Sequence, residues 1–194
     1  LAVARGLPML GVNHLEGHLL APFVGLDTPP FPFLGLVVSG GHTELLVARG
    51  VGDYEILGAT RDDAAGEAFD KSARILGLSY PGGIAVDRLA RDGDPEALAL
   101  PRGMMHKGGY DFSFSGLKTA VWQHTQRDGV PTGQALNDFC ASLQEAIVEV
   151  LARKTRRAAE ELGLTRIVVS GGVSANSRLR AAFSEMTTKE GWDL

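Results

Sequence analysis

Residues 134–162 carry the longest helical pattern of the chain, and the segments on its C-terminal side limit the folds open to the sequence. Gly163 ends the pattern, as glycine often does at the end of a helix. A short apolar strand at 166–169, a Ser-Gly-Gly turn and a second helix at 177–186 come next. Strand, glycine turn and helix N-terminus together are typical of a nucleotide pocket, although several unrelated folds share the arrangement. The apolar residues of the long helix form a single stripe: Leu136, Phe139, Leu143, Ile147, Val150 and Leu151.

A second glycine turn occurs earlier in the chain. The apolar run 33–38 predicts a strand, Ser39-Gly40-Gly41 predicts a tight turn, and residues 44–48 resume an extended pattern. Consecutive glycines allow close approach of a ligand and present several N–H groups together, which suits phosphate or carboxylate oxygens. A hairpin turn without a ligand is the alternative interpretation.

The middle of the chain predicts alternating elements. We expect a strand at 54–59, a helix running to Leu76, and a further helix at 84–91 that carries Asp87. Asp62, Asp63, Glu67 and Asp70 are interpreted as residues that favour the start of the first of these helices. Residues 80–83, Tyr-Pro-Gly-Gly, form a sharp break between the two helices.

Residues 98–127 predict a loop, a strand and a helix in turn. The stretch 98–110 is irregular and predicts an exposed loop, whereas 111–115 alternates like a strand. Ser115 is expected to act as the N-cap of a helix at 116–127. Lys118 lies in the first turn of that helix, an electrostatically unfavourable place, and faces either a ligand or solvent.

The composition places limits on the function. With 44% hydrophobic and 22% charged residues and a net charge of −4, the chain is not one that holds nucleic acid through its overall charge. The sequence contains neither an apolar run of about 20 residues nor a signal peptide pattern, so we expect a cytoplasmic protein without membrane contact. Cys140 is the only cysteine and is expected to be buried and inert. Both ends of the chain are expected to be interior to a longer protein.

Two histidines with helical spacing suggest a metal site. His14 and His18 are four residues apart, so both imidazoles can reach one ion from the same helix face. Packing without a ligand is the alternative, and a third ligand is needed to complete a zinc-type shell. Glu16 points away from that face, which removes the general base of the His-Glu-x-x-His proteases.

Six segments in order resemble the TsaD family, the tRNA adenosine threonylcarbamoyltransferases also known as O-sialoglycoprotein endopeptidases. The set covers most of the chain and is far more specific than any single segment. The segments are His14-Leu-Glu-Gly-His18, Val38-Ser-Gly-Gly-His-Thr43, Gly66-Glu-Ala-Phe-Asp-Lys71, Tyr80-Pro-Gly-Gly83, Phe112-Ser-Phe-Ser-Gly-Leu-Lys-Thr119 and Val169-Ser-Gly-Gly-Val-Ser-Ala-Asn176.

The resemblance implies an α/β fold of the actin, Hsp70 and sugar-kinase type, in which two ribonuclease-H-like lobes close over a nucleotide. By analogy, residues 1–32 are the tail of the first lobe and carry the metal-binding helix at the seam between the lobes. Residues 33–194 are the second nucleotide-binding lobe, incomplete at its C-terminus. The first phosphate loop of the family and the aspartate that is its third metal ligand lie outside these segments.

The resemblance also implies a reaction. The family transfers the threonylcarbamoyl group from threonylcarbamoyl-AMP to the exocyclic amine of the adenosine beside the tRNA anticodon. His14 and His18 would hold one divalent ion, Fe²⁺ or Zn²⁺, and the family works with TsaB-like, TsaE-like and TsaC-type partners. The substrate-binding residues carried over by position are Val37, Val38, Ser39, Gly40 and Gly41 for the intermediate, Asp70, Gly83 and Asp87 for the ribose, and Asn176 for adenine.

Three alternatives remain open on the sequence alone. The first is a related carbamoyltransferase that modifies a small molecule or a protein. The second is a nucleotide-binding partner subunit without catalytic activity, although the histidine pair argues against it. The third is an endopeptidase, which the position of Glu16 makes the weakest of the three.

Overall fold

A computed structural model describes residues 1–25 and 28–194. The strands are β1 (Phe33–Val38), β2 (Thr43–Gly50), β3 (Asp53–Ala59) and β4 (Ile167–Ser170). The α-helices are α1 (His14–Leu19), α2 (Ala65–Ile75), α3 (Gly82–Ala90), α4 (Ser115–Asp128), α5 (Gln134–Leu162) and α6 (Ser177–Glu190). Short 3-10 helices lie at Val3–Arg5, Ala21–Val24 and Gly172–Ala175.

The four strands form one mixed sheet in the order β3-β2-β1-β4. β1 runs antiparallel to β2 and parallel to β4, with Leu34 opposite Ile167 and Val37 opposite Ser170. Every residue of β1 is buried, as expected for a continuous apolar run covered on both faces. The strand predicted at 33–38 is therefore confirmed.

The two faces of the sheet are covered by different helices. Leu34, Leu36 and Val38 point into the main core, which includes buried residues of α2 and α5. Phe33 and Val37 point to the other face and pack in a smaller cluster with Leu19 of α1. The approach of α1 to the sheet depends on Gly35, because a Cβ there would lie 2.6 Å from a methyl group of Leu19.

Helix α5 spans residues 134–162 as the sequence predicts. Its apolar stripe lies in the main core, and it ends at Gly163 in the left-handed conformation, with φ 66°. The chain then reaches β4 after only a few residues, and because β4 runs parallel to β1 the second Ser-Gly-Gly turn emerges beside the first.

The strand predicted at 111–115 is wrong, since the structure has a single bridge there between Thr60 and Phe112. Phe112 and Phe114 alternate because both are buried in the main core, and the neighbouring serines bond to a carboxylate instead of a strand partner. The N-cap prediction for Ser115 is also wrong. Ser115 is the first residue of α4, and its hydroxyl donates to Asp62.

The remaining elements agree with the predictions in type. β3, α2, α3 and α6 are present, although α2 begins only at Ala65, after Asp62 and Asp63. Residues 98–110 contain neither helix nor strand, as predicted, although Leu100 in this loop is buried. In the described part of the chain, no helix combines the length and the apolarity that a bilayer crossing requires.

Candidate functional site

The two Ser-Gly-Gly turns meet at the carboxyl ends of the parallel strands β1 and β4. Val37 and Ser170 are paired at this edge, so both turns leave the sheet side by side. A Cβ at Gly171 would overlap the carbonyl oxygen of Val38 and lie 2.8 Å from its carbonyl carbon. This edge is where nucleotides bind in open α/β sheets.

The first turn has a fixed conformation and an open surface. The Ser39 hydroxyl accepts hydrogen bonds from the N–H of Gly41 at 3.3 Å and of His42 at 3.1 Å, and the Ser39 N–H donates to the His42 carbonyl at 2.8 Å. Gly40 and Gly41 are exposed, whereas Val37 and Val38 are fully buried. The valines thus support the turn, and the glycines are the part a ligand can reach.

Helix α2 starts directly against this turn. The N–H of Gly66 donates to the Ser39 carbonyl at 3.2 Å, and a Cβ at Gly66 would lie 2.6 Å from the same oxygen. Thr43 strengthens the junction, because its buried hydroxyl accepts from the Ala65 N–H at 2.9 Å. The N-terminus of α2, with its partial positive charge, therefore lies beside the turn.

Asp70, which is predicted to bind ribose, belongs to α2 and lies next to the N-terminus of α3. Its Oδ1 accepts a hydrogen bond from the Gly82 N–H at 2.8 Å. Gly82 must be glycine for this approach, since a Cβ would lie 2.6 Å from the Ala73 side chain. Gly83 is less crowded, with the nearest atom to a Cβ at 3.8 Å on Phe69. The sequence analysis did not predict that the Asp70 carboxylate accepts from the first N–H of α3.

Asp87, a residue of α3, accepts hydrogen bonds from the first residue of α6. Its Oδ1 accepts from the N–H of Ser177 at 3.0 Å and from the Ser177 hydroxyl at 2.6 Å. Its Oδ2 lies 3.4 Å from Arg91. The bond to Ser177 ties α3 to the helix that comes after the second glycine turn.

Asn176 is the N-cap of α6 and is 8% exposed. Its Oδ1 accepts from the Leu179 N–H at 2.9 Å, and its Nδ2 donates to Gln144 of α5 at 2.7 Å. One Nδ2 hydrogen and one lone pair of Oδ1 remain after these two bonds. Gln144 fixes the amide orientation, and nothing in the local sequence pattern indicated this partner.

The predicted substrate-binding residues therefore form one connected path. The Ser39–Gly41 turn contacts α2, Asp70 of α2 bonds to the start of α3, and Asp87 of α3 bonds to the residue after Asn176. A separate groove beside β4 is lined by residues such as Pro29, Arg166 and Phe183, and none of the predicted site residues is among the described residues that line it.

His14 and His18 lie together on α1. Their ring centroids are 4.5 Å apart in an edge-to-face arrangement. Asn13 caps the helix, and its side chain accepts from the N–H of Leu15 at 2.9 Å and of Glu16 at 3.3 Å. Glu16 accepts a hydrogen bond from the Tyr54 hydroxyl at 2.8 Å, so its carboxylate is engaged with β3.

A third histidine, which the sequence left without a role, lies beside the pair. The ring centroid of His42 is 5.6 Å from that of His14. Glu44, two residues further along the chain in β2, is paired with Val37 and so lies on the same sheet face as α1, and its Oε2 is buried without a hydrogen-bond partner. Across residues 1–25 and 28–194, no three histidine, cysteine, aspartate or glutamate side chains converge on one metal position.

Other polar candidates are committed to structural contacts. The ring of His124 packs edge-to-face on Phe139 with centroids 4.9 Å apart. Lys71 pairs with Asp63 at 2.7 Å and Glu67 at 2.8 Å, and the hydrogen bond from Lys71 is the main reason that the pKa of Glu67 is lowered. Burial raises the pKa of the Cys140 thiol to about 12, which excludes it as a nucleophile at neutral pH.

The sequence model of the family described as TsaD, tRNA N6-adenosine threonylcarbamoyltransferase, matches residues 1–194. The chain belongs to the TsaD family. Among relatives with this name, the TsaD protein of Anaeromyxobacter dehalogenans strain 2CP-1 is 62% identical over 182 residues, which are 94% of this chain and 54% of the relative. That of Geobacter sulfurreducens is 53% identical over the whole chain and 57% of the relative. The chain spans little more than half the length of these relatives.

Solved structures confirm the predicted actin-like α/β fold. Full-length HypF, crystallised in a phosphate- and nucleotide-bound form, aligns with a TM-score of 0.68 over 96% of this chain and 39% of its own, at 13% identity. Component A of the Acidaminococcus fermentans (R)-2-hydroxyglutaryl-CoA dehydratase aligns with a TM-score of 0.52 over 98% of this chain and 64% of its own, at 17% identity. At these identities the likeness shows the fold alone.

Proposed function

We propose that this chain contributes residues of a site that transfers a threonylcarbamoyl group from threonylcarbamoyl-AMP to the exocyclic amine of the adenosine next to the tRNA anticodon. The observation that carries the proposal is the position of the histidine pair. His14 and His18 lie together on α1, and His14 is next to His42 at the end of the Ser39–Gly41 turn. Family membership and relatives that carry the name of this activity support it.

The reaction is an acyl transfer from oxygen to nitrogen. The amine nitrogen forms a bond to the carbamoyl carbon, the bond from that carbon to the phosphate oxygen breaks, and AMP leaves with its phosphate charge while the amine loses a proton. Such a reaction needs a held amine, a polarised carbonyl and a stabilised phosphate, but no protein nucleophile. An inert Cys140 agrees with this requirement.

The leaving AMP is proposed to lie along the path between the glycine turns. The exposed backbone at Gly40 and Gly41, beside the N-terminus of α2, suits its phosphate, with Val37, Val38 and Ser39 fixing the turn. Asp70 bonds to Gly82 through Oδ1, which leaves Oδ2 to accept from a ribose hydroxyl.

The rest of the nucleoside is assigned to α3 and the second turn. Gly83 has room for the sugar edge, and Asp87 keeps one lone pair of Oδ2 for a hydroxyl beyond its bonds to Ser177 and Arg91. Asn176 keeps one N–H and one lone pair, a donor and acceptor that suit an adenine edge, while Gln144 holds its amide plane.

A divalent ion, Fe²⁺ or Zn²⁺, is proposed to be held by His14 and His18. The donor types fit, because the two imidazoles lie together on one helix face and imidazole nitrogens are ligands that suit both ions. When bound, the ion acts as a Lewis acid for oxygens of the adenylate. The resemblance to the family implies that an aspartate outside these residues completes the coordination shell of the ion.

The partners and the setting are proposed from the same resemblance. tRNA is the acceptor, and TsaB-like and TsaE-like proteins are expected to assemble with the complete protein in the cytoplasm. We also propose the division into residues 1–32, which carry the metal helix of a first lobe, and residues 33–194, the second lobe.

The test is a histidine substitution in the complete gene product that contains this chain. We expect the double variant His14→Ala and His18→Ala to lose bound metal and to lower tRNA threonylcarbamoylation by at least about 100-fold, since metal catalysis is worth several kcal/mol. His106→Ala, on the loop at 101–110, is the matched control and is expected to keep both properties. Unchanged metal content and tRNA modification in the double variant would overturn the proposal.

A further inference from the structure

His42 lies between the two parts of the site and belongs to neither assigned set. It comes directly after the Ser39–Gly41 turn, and its ring lies 5.6 Å from the ring of His14. We propose that His42 is a positioning residue that couples the glycine turn to the histidine pair, so that a phosphate-bearing ligand at the turn and an ion at the pair favour each other. This inference rests on the proposed function.

The backbone of His42 is held by hydrogen bonds to Ser39 through both its N–H and its carbonyl. The His42 N–H donates to the Ser39 hydroxyl at 3.1 Å, and its carbonyl accepts from the Ser39 N–H at 2.8 Å. The next residue, Thr43, is fully buried and bonded to the start of α2. The ring of His42 therefore starts from a fixed anchor.

His14 has weaker support of its own. It is the first residue of a six-residue helix and is exposed, and helices of this length are marginal without tertiary contacts. The contacts that hold α1 include Leu15 and Leu19 in the smaller core cluster and Glu16 at Tyr54, all later in the helix than His14. The anchored backbone of His42 thus places its ring where that of His14 can be oriented against it.

The same hydroxyl links the two ligand positions. Ser39 Oγ accepts from both Gly41 and His42, so a change in the turn on binding a phosphate is passed to His42 by one hydrogen bond. His42 passes it to His14 by ring packing. Coupling between two ligands is reciprocal, so an ion at the pair would also strengthen binding at the turn.

The experiment measures Co²⁺ affinity of the complete gene product by its absorption spectrum, with and without AMP. In the unmodified protein we expect AMP to strengthen Co²⁺ binding by at least about fivefold. His42→Ala is expected to weaken Co²⁺ binding by about tenfold, as for outer partners of metal ligands, and to abolish the effect of AMP. His42→Phe keeps a ring against His14 and is expected to bind Co²⁺ within about twofold of the unmodified protein.

The variants separate positioning from other roles. If His42→Phe is as weak as His42→Ala, a ring nitrogen rather than packing is needed, and the proposal is overturned. It is also overturned if His42→Ala binds Co²⁺ normally, or if the unmodified protein binds none. His42→Ser replaces His42→Ala if the latter lowers the unfolding midpoint, and His106→Ala serves as the unaffected control. Because Co²⁺ titration needs no tRNA, it gives its answer even where the acyl-transfer assay of the double variant contradicts the proposed function.

Discussion

Asp62 caps a helix that begins 53 residues later in the chain, because its Oδ1 accepts a hydrogen bond from the Ser115 N–H at 3.1 Å. The same oxygen accepts from the Phe114 N–H at 2.8 Å, and Oδ2 accepts from the hydroxyls of Ser113 at 2.6 Å and Ser115 at 2.8 Å. The carboxylate thus replaces the local cap that α4 lacks.

Removal of this carboxylate is expected to destabilise the protein. Asp62→Ala leaves the first N–H groups of α4 without their acceptor, and we expect a loss of about 1–2 kcal/mol in the free energy of unfolding. Asp128→Ala, at the other end of the same helix, removes half-exposed contacts with Arg127 and His124 and is expected to cost less than about 0.5 kcal/mol. Urea unfolding measures both variants. An equal loss in the two would show that Asp62 is not a cap.

The stabilisation by Asp62 is expected to depend on pH. Burial raises the pKa of its carboxyl, but the four hydrogen bonds from Ser113, Phe114 and Ser115 outweigh burial, and the pKa lies below its ordinary value. A lowered folded pKa gives stability that is present above the unfolded pKa and is lost as pH falls through the folded one. The difference between the unmodified protein and Asp62→Ala should therefore shrink between about pH 5 and pH 2. A constant difference over that range would contradict the assignment.

Gly171 and Gly172 offer a matched pair in the second turn. A side chain at Gly171, whose φ is +93°, would overlap the Val38 carbonyl, whereas a Cβ at Gly172 meets nothing within 4 Å. We expect Gly171→Ala to lower the free energy of unfolding by about 3 kcal/mol, from backbone strain and overlap together. Gly172→Ala is expected to change it by less than about 1 kcal/mol. Thermal unfolding of both variants is the measurement, and equal midpoints would show that the two turns do not abut as described.

Cys140 is expected to resist alkylation in the folded protein. Its thiol is fully buried in the main core and its pKa is raised to about 12 by burial, so almost no thiolate is present at neutral pH. Mass spectrometry after incubation with iodoacetamide should find no adduct in native protein and complete modification in urea. Rapid modification without denaturant would mean that α5 does not pack as described.

The sequence predicted the elements whose signal is local. The bounds of the strand β1 and the helix α5 were predicted correctly. A six-residue apolar run and a long apolar stripe are both longer than the apolar patterns found in loops. Residues 111–115 were mistaken for a strand, since the alternation of Phe112 and Phe114 reflects burial against the core, and the carboxylate that holds the serines comes from Asp62, far away in the chain.

In the candidate site, too, local features were predicted and contacts between distant elements were not. The turn at Ser39 and the pair on α1 depend on neighbouring residues, so the sequence suffices to find them. The caps made by Asp70 and Asp87, and the packing of His42 on His14, join elements that are distant in sequence. Such contacts depend on how the strands and helices are arranged, which local patterns do not encode.

The parallel pair of β1 and β4 has a consequence during synthesis. β1 leaves the ribosome before α5, but the strand that covers its free edge is made only after the whole of α5. Until then the growing polypeptide carries a fully apolar strand with unpaired backbone groups along one side, a surface prone to aggregation. Chaperone capture of nascent chains should therefore be strongest before residue 167 emerges and should fall once β4 has docked.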